Sequence, residues 1–385
     1  MFPHEIWVIW LLEALSINMF RANLHSYCSF VREIKGECSF VRISEGSVVA
    51  GSKSGELVCW DMDSGDEKWR RSFEGPCSDS DYRKGVLFFT ESDKVHSIQI
   101  SSGEILWSLE LEGSSDFICC FEEGVFVSTS VYNFEIQDYS EGAIWKIGFS
   151  GELCRSWATI GRAWSLSAYG NEVVFGLSRP KCGAGTLQGG SELGHISLAG
   201  DSPVTVGKGD GRGPVVLGHS DGVISEISEV GASSIIAGYS PICSIDYDNG
   251  WVAGLEEGKV VSGESFESWS IDLGSPVELV SFGPSLDNER AVWAFTWKEE
   301  SLLHIIDLTG KIELSVSHDF RISSIFNDGE SICLGDSTGN IYLLEGEVIR
   351  RRHGRSEEEF GQEEKRVSLR KKIRELRGGK FAVEK

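Results

Sequence analysis

The sequence predicts an all-β chain folded as a β-propeller, most simply of eight four-stranded blades, with a C-terminal α-helical tail. Three observations carry that expectation. Short apolar runs alternate with Gly-containing polar turns along most of the 385 residues. The pattern recurs about every 40 residues, the length of a four-stranded blade. The body of the chain shows no sustained apolar spacing of 3.6, which argues against helical solenoids.

The clearest copy spans residues 48–73. Val48, Val49 and Ala50 form a first run, residues 51–55 a turn, residues 57–60 a second run, Asp61-Met62-Asp63-Ser64-Gly65 a second turn, and residues 69–73 a final strand. The next copy places Trp107 four residues after Gly103, as Trp69 follows Gly65. A third reads from Val125 to Trp145 with its turn at Gly142, and five worn copies follow. Their first turns fall near residues 51, 90, 128, 176, 218, 254, 296 and 335, eight in all, with seven blades the alternative if one copy is false. Segments between copies, such as 39–43 and 242–245, supply the fourth strand, and residues 347–351 would supply the last outer strand. In each turn Asp or Ser bonds the backbone while Gly takes positive φ. Trp69, Trp107 and Trp145 are expected to wedge each outer strand against the next blade, since such a ring buries roughly 150–250 Å².

Asp61-Met62-Asp63-Ser64-Gly65-Asp66-Glu67-Lys68-Trp69 and Ser101-Ser102-Gly103-Glu104-Ile105-Leu106-Trp107 resemble the D-x-x-T-G-x-x-x-W signature of the PQQ-like repeat of quinoprotein-type propellers. Asp307-Leu308-Thr309-Gly310 resembles it without the Trp, and Trp60-Asp61 and Gly218-His219 bear a weaker likeness to WD repeats. The resemblance implies an eight-bladed propeller. In quinone-dependent members it implies a cofactor beside adjacent cysteines, for which Cys119 and Cys120 are the candidates here.

The formal charge is -23, with 59 acidic and 36 basic residues. Residues 346–385 carry 13 Lys and Arg against 8 Asp and Glu, leaving 23 against 51 in residues 1–345. Such an acidic body excludes phosphate-driven nucleic-acid binding outside the tail. The tail from Ser356 reads as a helix whose apolar positions Leu369, Ile373 and Leu376 are flanked by Arg370, Lys371, Lys372, Arg374 and Arg377, a partner-binding face or one that docks on the propeller itself. A loop at 178–195 bearing Arg179 and Lys181 is a second candidate partner site, and a tolerated surface insertion is the alternative.

The organisation expected is an apolar leader over 1–36, containing Met19 as an alternative start, a propeller over 37–353 and a charged helical tail over 354–385. The leader has Glu5 and Glu13 and no basic flank, so a membrane span is not expected. Ten cysteines without a CxxC pair read as free thiols of a reducing, cytoplasmic compartment. Eight scattered histidines make no metal motif, and no Walker loop or GxSxG is present. No catalytic residue, metal or cofactor is therefore assigned. The leading functional reading is a monomeric scaffold for protein partners within a complex. The alternatives are a PQQ-type or small-ligand oxidoreductase and a non-catalytic subunit of a nucleic-acid-modifying enzyme.

Overall fold

The computed structural model describes residues 23–354, apart from 122–123, 171, 189–191, 210, 212, 264–267 and 288. Eight four-stranded antiparallel sheets are arranged as a ring, so the fold is an eight-bladed β-propeller. Blades 1 to 7 occupy residues 38–72, 77–110, 114–160, 163–196, 204–236, 242–272 and 277–318, each with its strands in sequence order from the axis outward. Blade 8 takes three strands from 322–345 and its outer strand from Phe30–Glu33, which pairs with residues 340–343.

That closure corrects one expectation. Residues 347–351 do not form the last outer strand, because the N-terminal strand already holds that place; they lie in the helix Gly346–His353. Ile349 of this helix is buried against blades 7 and 8, and Arg352 donates to the carbonyls of Ser26 and Cys28 at 2.8 Å each. The two ends of the ring are thus tied together twice. The propeller's sheet begins at Phe30, ahead of the boundary at residue 37 read from the repeats.

The core is not one mass but eight buried apolar clusters, one between each pair of adjacent blades. Leu57, Cys59 and Trp69 of blade 1 meet Leu87, Phe89 and Ile98 of blade 2, and the same arrangement recurs round the ring to Ile341 and Leu343 of blade 8 against Val41 and Val58 of blade 1. All eight inner strands carry a register shift near their start, for example between Cys38 and Phe40 and between Ile242 and Ser244. Such a bulge bends the strand and sharpens its twist at the crowded axis.

The turns behave as their chemistry dictates. Asp61 Oδ1 accepts from the Ser64 amide at 3.0 Å, and Asp307 Oδ1 accepts from the amides of Thr309 and Lys311 at 2.9 Å each. Gly65 and Gly103 complete their turns with φ near +67° and +69°. The turn glycine has a second duty, since the preceding blade's outer strand lies across it. A methyl group on Gly103 would come within 2.6 Å of the Trp69 ring, and one on Gly151 within 2.8 Å of the Trp107 ring. Trp69 Nε1 donates to Ile100 O at 2.6 Å and Trp107 Nε1 to Phe149 O at 2.9 Å, both in the next blade.

Trp145 stands elsewhere. Blade 3 has a longer first hairpin than its neighbours, with strands Gly124–Asn133 and Asp138–Gly148, so its first turn lies at 134–137 rather than 128. Trp145 is therefore on the third strand and donates to Thr129 Oγ1 of its own blade at 2.9 Å. Gly142 is a strand residue whose missing side chain admits the Gly161 carbonyl. The outer-strand ring that repeats the Trp69 geometry is Trp269, which lies over Gly310 of blade 7.

Blade 8 also holds a buried polar knot. Asp336 accepts from the Tyr342 hydroxyl at 2.8 Å, from Asn340 Nδ2 at 3.0 Å, from the amides of Thr338 and Asn340, and lies 3.3 Å from His318 Nε2. Burial alone would raise its pKa, but these hydrogen bonds outweigh that and hold the carboxyl well below the usual range. A carboxyl lowered in the folded state stabilises fully above its unfolded pKa of about 3.9 and loses that contribution as the pH falls toward the folded value. Asp336→Ala should cost about 3 kcal/mol in urea unfolding at neutral pH. Asp336→Asn should flatten the loss of stability expected of the native chain between roughly pH 4 and pH 2; parallel pH profiles for Asp336→Asn and the native chain would contradict this role.

Candidate functional site

The axial channel is lined by the inner strands, and its polar groups are engaged in joining blade to blade. Asp79 Oδ2 accepts the Ile118 amide at 3.1 Å and Asp81 Oδ2 the Cys120 amide at 2.6 Å, both across to blade 3. Asp246 Oδ2 accepts the Phe282 amide at 2.9 Å, and Ser244 Oγ the Val280 amide at 3.0 Å. Thr205 donates to Ile242 O and Ser323 to Cys38 O, each at 2.7 Å. Arg42 pairs with Asp79 at 3.1 Å and also donates to Ser80 O. Burial raises the Asp79 pKa, while Arg42 and the two amides that bond it pull the other way.

Cys119 and Cys120 sit on the inner strand Ser114–Phe121 of blade 3. Successive side chains of a strand face opposite ways, and these two divide accordingly. Cys119 packs in the interface with blade 4 and Cys120 in that with blade 2. Both are free thiols whose pKa values are pushed up, first by burial and then by the nearby Asp81 carboxylate. In this arrangement the two thiols pack in different interfaces. All ten cysteines are unpaired, and Cys154 and Cys243 are exposed. No cluster of metal-ligating side chains occurs among the described residues.

A different surface gathers the chemistry of recognition. The long hairpin of blade 3 projects past its neighbours: residues 131–133 extend beyond the inner strand, whose last pair is Ser114 with Ser130, and residues 138–140 extend beyond the outer strand, whose last pair is Glu141 with Ile160. On this ribbon Tyr132 meets Phe134 and Tyr139 edge-on, each at 5.2 Å, and Tyr139 meets Trp164 of blade 4 at 6.3 Å. Arg162 is laid over both Tyr139 and Trp164, at 4.8 and 4.7 Å from their ring centres, and donates to the Tyr139 hydroxyl at 2.9 Å. Its other arm reaches Asp116 Oδ1 at 2.8 Å, and Ser130 Oγ donates to Asp116 Oδ2 at 2.6 Å. The result is a ladder of rings anchored on an ion pair whose carboxylate is buried, with Phe134 85% and Ile136 60% exposed at its tip.

The expected loop at 178–195 is largely not a loop. Gly183–Gln188 and Glu192–Ile196 are the third and outer strands of blade 4. Glycines hid this pattern: Gly185 presents no side chain because the Phe175 ring of the paired strand fills its place. What remains as a turn, residues 178–182, leaves Arg179 and Lys181 exposed. The Arg179 carbonyl passes 2.8 Å from where a methyl on Gly161 would sit, which brings this turn beside the Tyr139 ladder. Leu369, Arg370, Lys371, Lys372, Ile373, Arg374, Leu376 and Arg377 lie outside the described residues.

The ladder residues were not singled out from the sequence, because residues 131–139 contain no Gly and were absorbed into the second run of the repeat. The usable signal was the aromatic run itself, Tyr132, Phe134 and Tyr139 within the eight residues of one hairpin tip.

A family model described as outer membrane protein assembly factor BamB, a PQQ-type repeat model, matches residues 29–221. The chain belongs to this PQQ-like repeat family. Within that span lie the Trp69 and Trp107 repeats and the ladder. No curated protein matches the sequence. Solved structures similar to this PQQ-like chain include the designed protein Ika8, at 18% identity and TM-score 0.66 over 82% of this chain and 98% of that one. Saccharomyces cerevisiae Sqt1 is 14% identical, TM-score 0.66, over 84% and 99%. Chaetomium thermophilum Sqt1, bound to the N-terminus of the ribosomal protein L10, is 10% identical, TM-score 0.65, over 83% and 99%. At these identities the likeness is one of fold.

Asp116 is the weak point of the ladder, because burial raises its pKa and Arg162 and Ser130 counter that rise. Arg162→Ala should cost about 3 kcal/mol in urea unfolding by leaving a buried carboxylate unpaired. Adding Asp116→Asn should recover part of that loss; a double variant no more stable than Arg162→Ala would show that the pair does not anchor the ladder.

Proposed function

We propose that the chain is a non-catalytic interaction module that seats another protein on the aromatic ladder of blades 3 and 4. The observation that carries this reading is the ladder itself: Tyr132, Phe134, Tyr139 and Trp164 in successive edge contacts, with Arg162 laid over Tyr139 and Trp164 and apolar side chains left in water at the tip. Trp, Tyr and Arg dominate binding hot spots, and a preorganised surface loses little entropy on docking. The channel carboxylates described above are tied to backbone amides, which suits a rigid support better than acid–base chemistry. A structural neighbour, Sqt1, is seen with the N-terminus of a ribosomal protein, which agrees with protein segments as the class of ligand. The basic tail over 354–385 serves in this reading as an added tether.

Phe134→Ser with Ile136→Ser changes only exposed positions, so thermal unfolding should be unchanged within about 0.5 kcal/mol. In affinity purification from extracts of the native organism, the proteins captured by the native chain should be lost with this variant and weakened by deletion of residues 355–385. An identical set of captured proteins for the hairpin variant would refute the ladder as the seat.

A further inference from the structure

The outer edge of a propeller blade is an unpaired strand, and proteins guard such edges with charged side chains or cover them. Seven of the eight outer strands follow that rule, each carrying at least one Asp, Glu, Lys or Arg: for example Glu67–Ser72 has four, and Phe30–Glu33 has Arg32 and Glu33. The outer strand of blade 5, Gly231–Ile236, has the sequence Gly-Ala-Ser-Ser-Ile-Ile, and all six residues are exposed. No charged residue occurs anywhere in residues 230–245. Val230 at 98%, Ile236 at 69% and Tyr239 at 89% exposure add apolar surface at both of its ends. No Trp wedge holds this strand to the next blade, and no side chain on it faces a core. It is a regular strand nonetheless, paired without a register shift from Val223 with Ile236 to Ser228 with Gly231.

We propose that this edge accepts an extended segment of a partner protein as a fifth strand of blade 5, and that the segment carries basic residues at its ends. Six residues of strand offer about 20 Å of free backbone donors and acceptors, the main-chain source of affinity in strand addition. The β-branched Ile235 and Ile236 favour a β-branched neighbour on the incoming strand. The charge follows from what stands at the two ends: exposed Asp221 in the turn beside Ile236 and exposed Glu229 beside Gly231. Antiparallel pairing of two copies of this edge would bring Glu229 of one copy toward Asp221 of the other, on chains that each carry a net charge of -23. Like charges so placed oppose a homodimer and favour a cationic partner.

This surface is separate from the ladder, and its test is separate too. Two fluorescent peptides share a Thr-Val-Thr-Val-Thr core, one flanked by Lys-Lys and the other by Glu-Glu at each end. Titrated against the full chain, the lysine peptide should bind and slow amide exchange of residues 231–236, and the glutamate peptide should bind at least about tenfold more weakly. Ala232→Lys with Ser234→Lys should abolish binding while leaving the circular dichroism unchanged; should that variant misfold, the exchange footprint on the native chain decides. Phe134→Ser with Ile136→Ser should bind the lysine peptide normally, so failure of the ladder reading leaves this result intact. Equal binding of both peptides, no binding, a footprint elsewhere, or a dimer of the native chain in sedimentation that Ala232→Lys with Ser234→Lys dissolves would each overturn the proposal.

Discussion

The ring stands on a steric allowance that is repeated between blades. The second strand of a blade carries a glycine near its end at Gly176, Gly218, Gly254 and Gly335, and the first apolar residue of the next blade leans into the space where a side chain would be: Val204, Ile242, Val277 and Cys38 respectively. Protein interiors are packed too densely for a methyl group to be added there without movement. Because every blade is positioned by its neighbour, the eight interfaces are coupled round a closed circuit, and the angle set at one glycine is passed to the whole ring. The inner-strand bulges and the side chain-to-backbone bonds of Asp79, Asp81, Ser244 and Asp246 work on the same contact from the channel side.

Closure then asks only that the first and last blades meet like any other pair. Phe30–Glu33 completes blade 8, and Phe30 and Arg32 lie over Gly65 of blade 1 just as Trp69 lies over Gly103. The closing strand carries a Phe and an Arg where the best repeats carry Trp, so it performs the wedge's work without its signature residue. Arg352 fastens the helix Gly346–His353 to the entering chain, and the polar knot at Asp336 stiffens the blade that receives both ends.

Where turn chemistry and apolar alternation coincide, the fold was legible. The turns at Gly65 and Gly103 and the inter-blade contacts of Trp69 and Trp107 lie where the repeat puts them, and the count of eight follows from the turns. Two misreadings share one physical cause: glycine serves both as a turn residue and as a space for a neighbouring ring or carbonyl. Gly142 and Gly185 are strand residues of the second kind, so blade 3 was phased too early and half of blade 4 was taken for a loop. The closing strand was hidden for another reason, since its pairing spans more than 300 residues and no local pattern records it. The ladder depends on Arg162 and Asp116 meeting across a blade boundary, a contact that periodicity does not reveal.

The two candidate surfaces use opposite means on one rigid support, rigid side chains at blade 3 and bare backbone at blade 5. Both presuppose that the ring is held by the glycine contacts. Gly218 tests this most directly because it lies in an ordinary strand, and a methyl group there would fall 2.5 Å from Ile242 Cγ2. Gly218→Ala should lower the stability in urea by about 1–3 kcal/mol, and combining it with Ile242→Ala, which opens the space, should cost less than the sum of the two single changes. A Gly218→Ala chain as stable as the native one, or strict additivity with Ile242→Ala, would contradict the account.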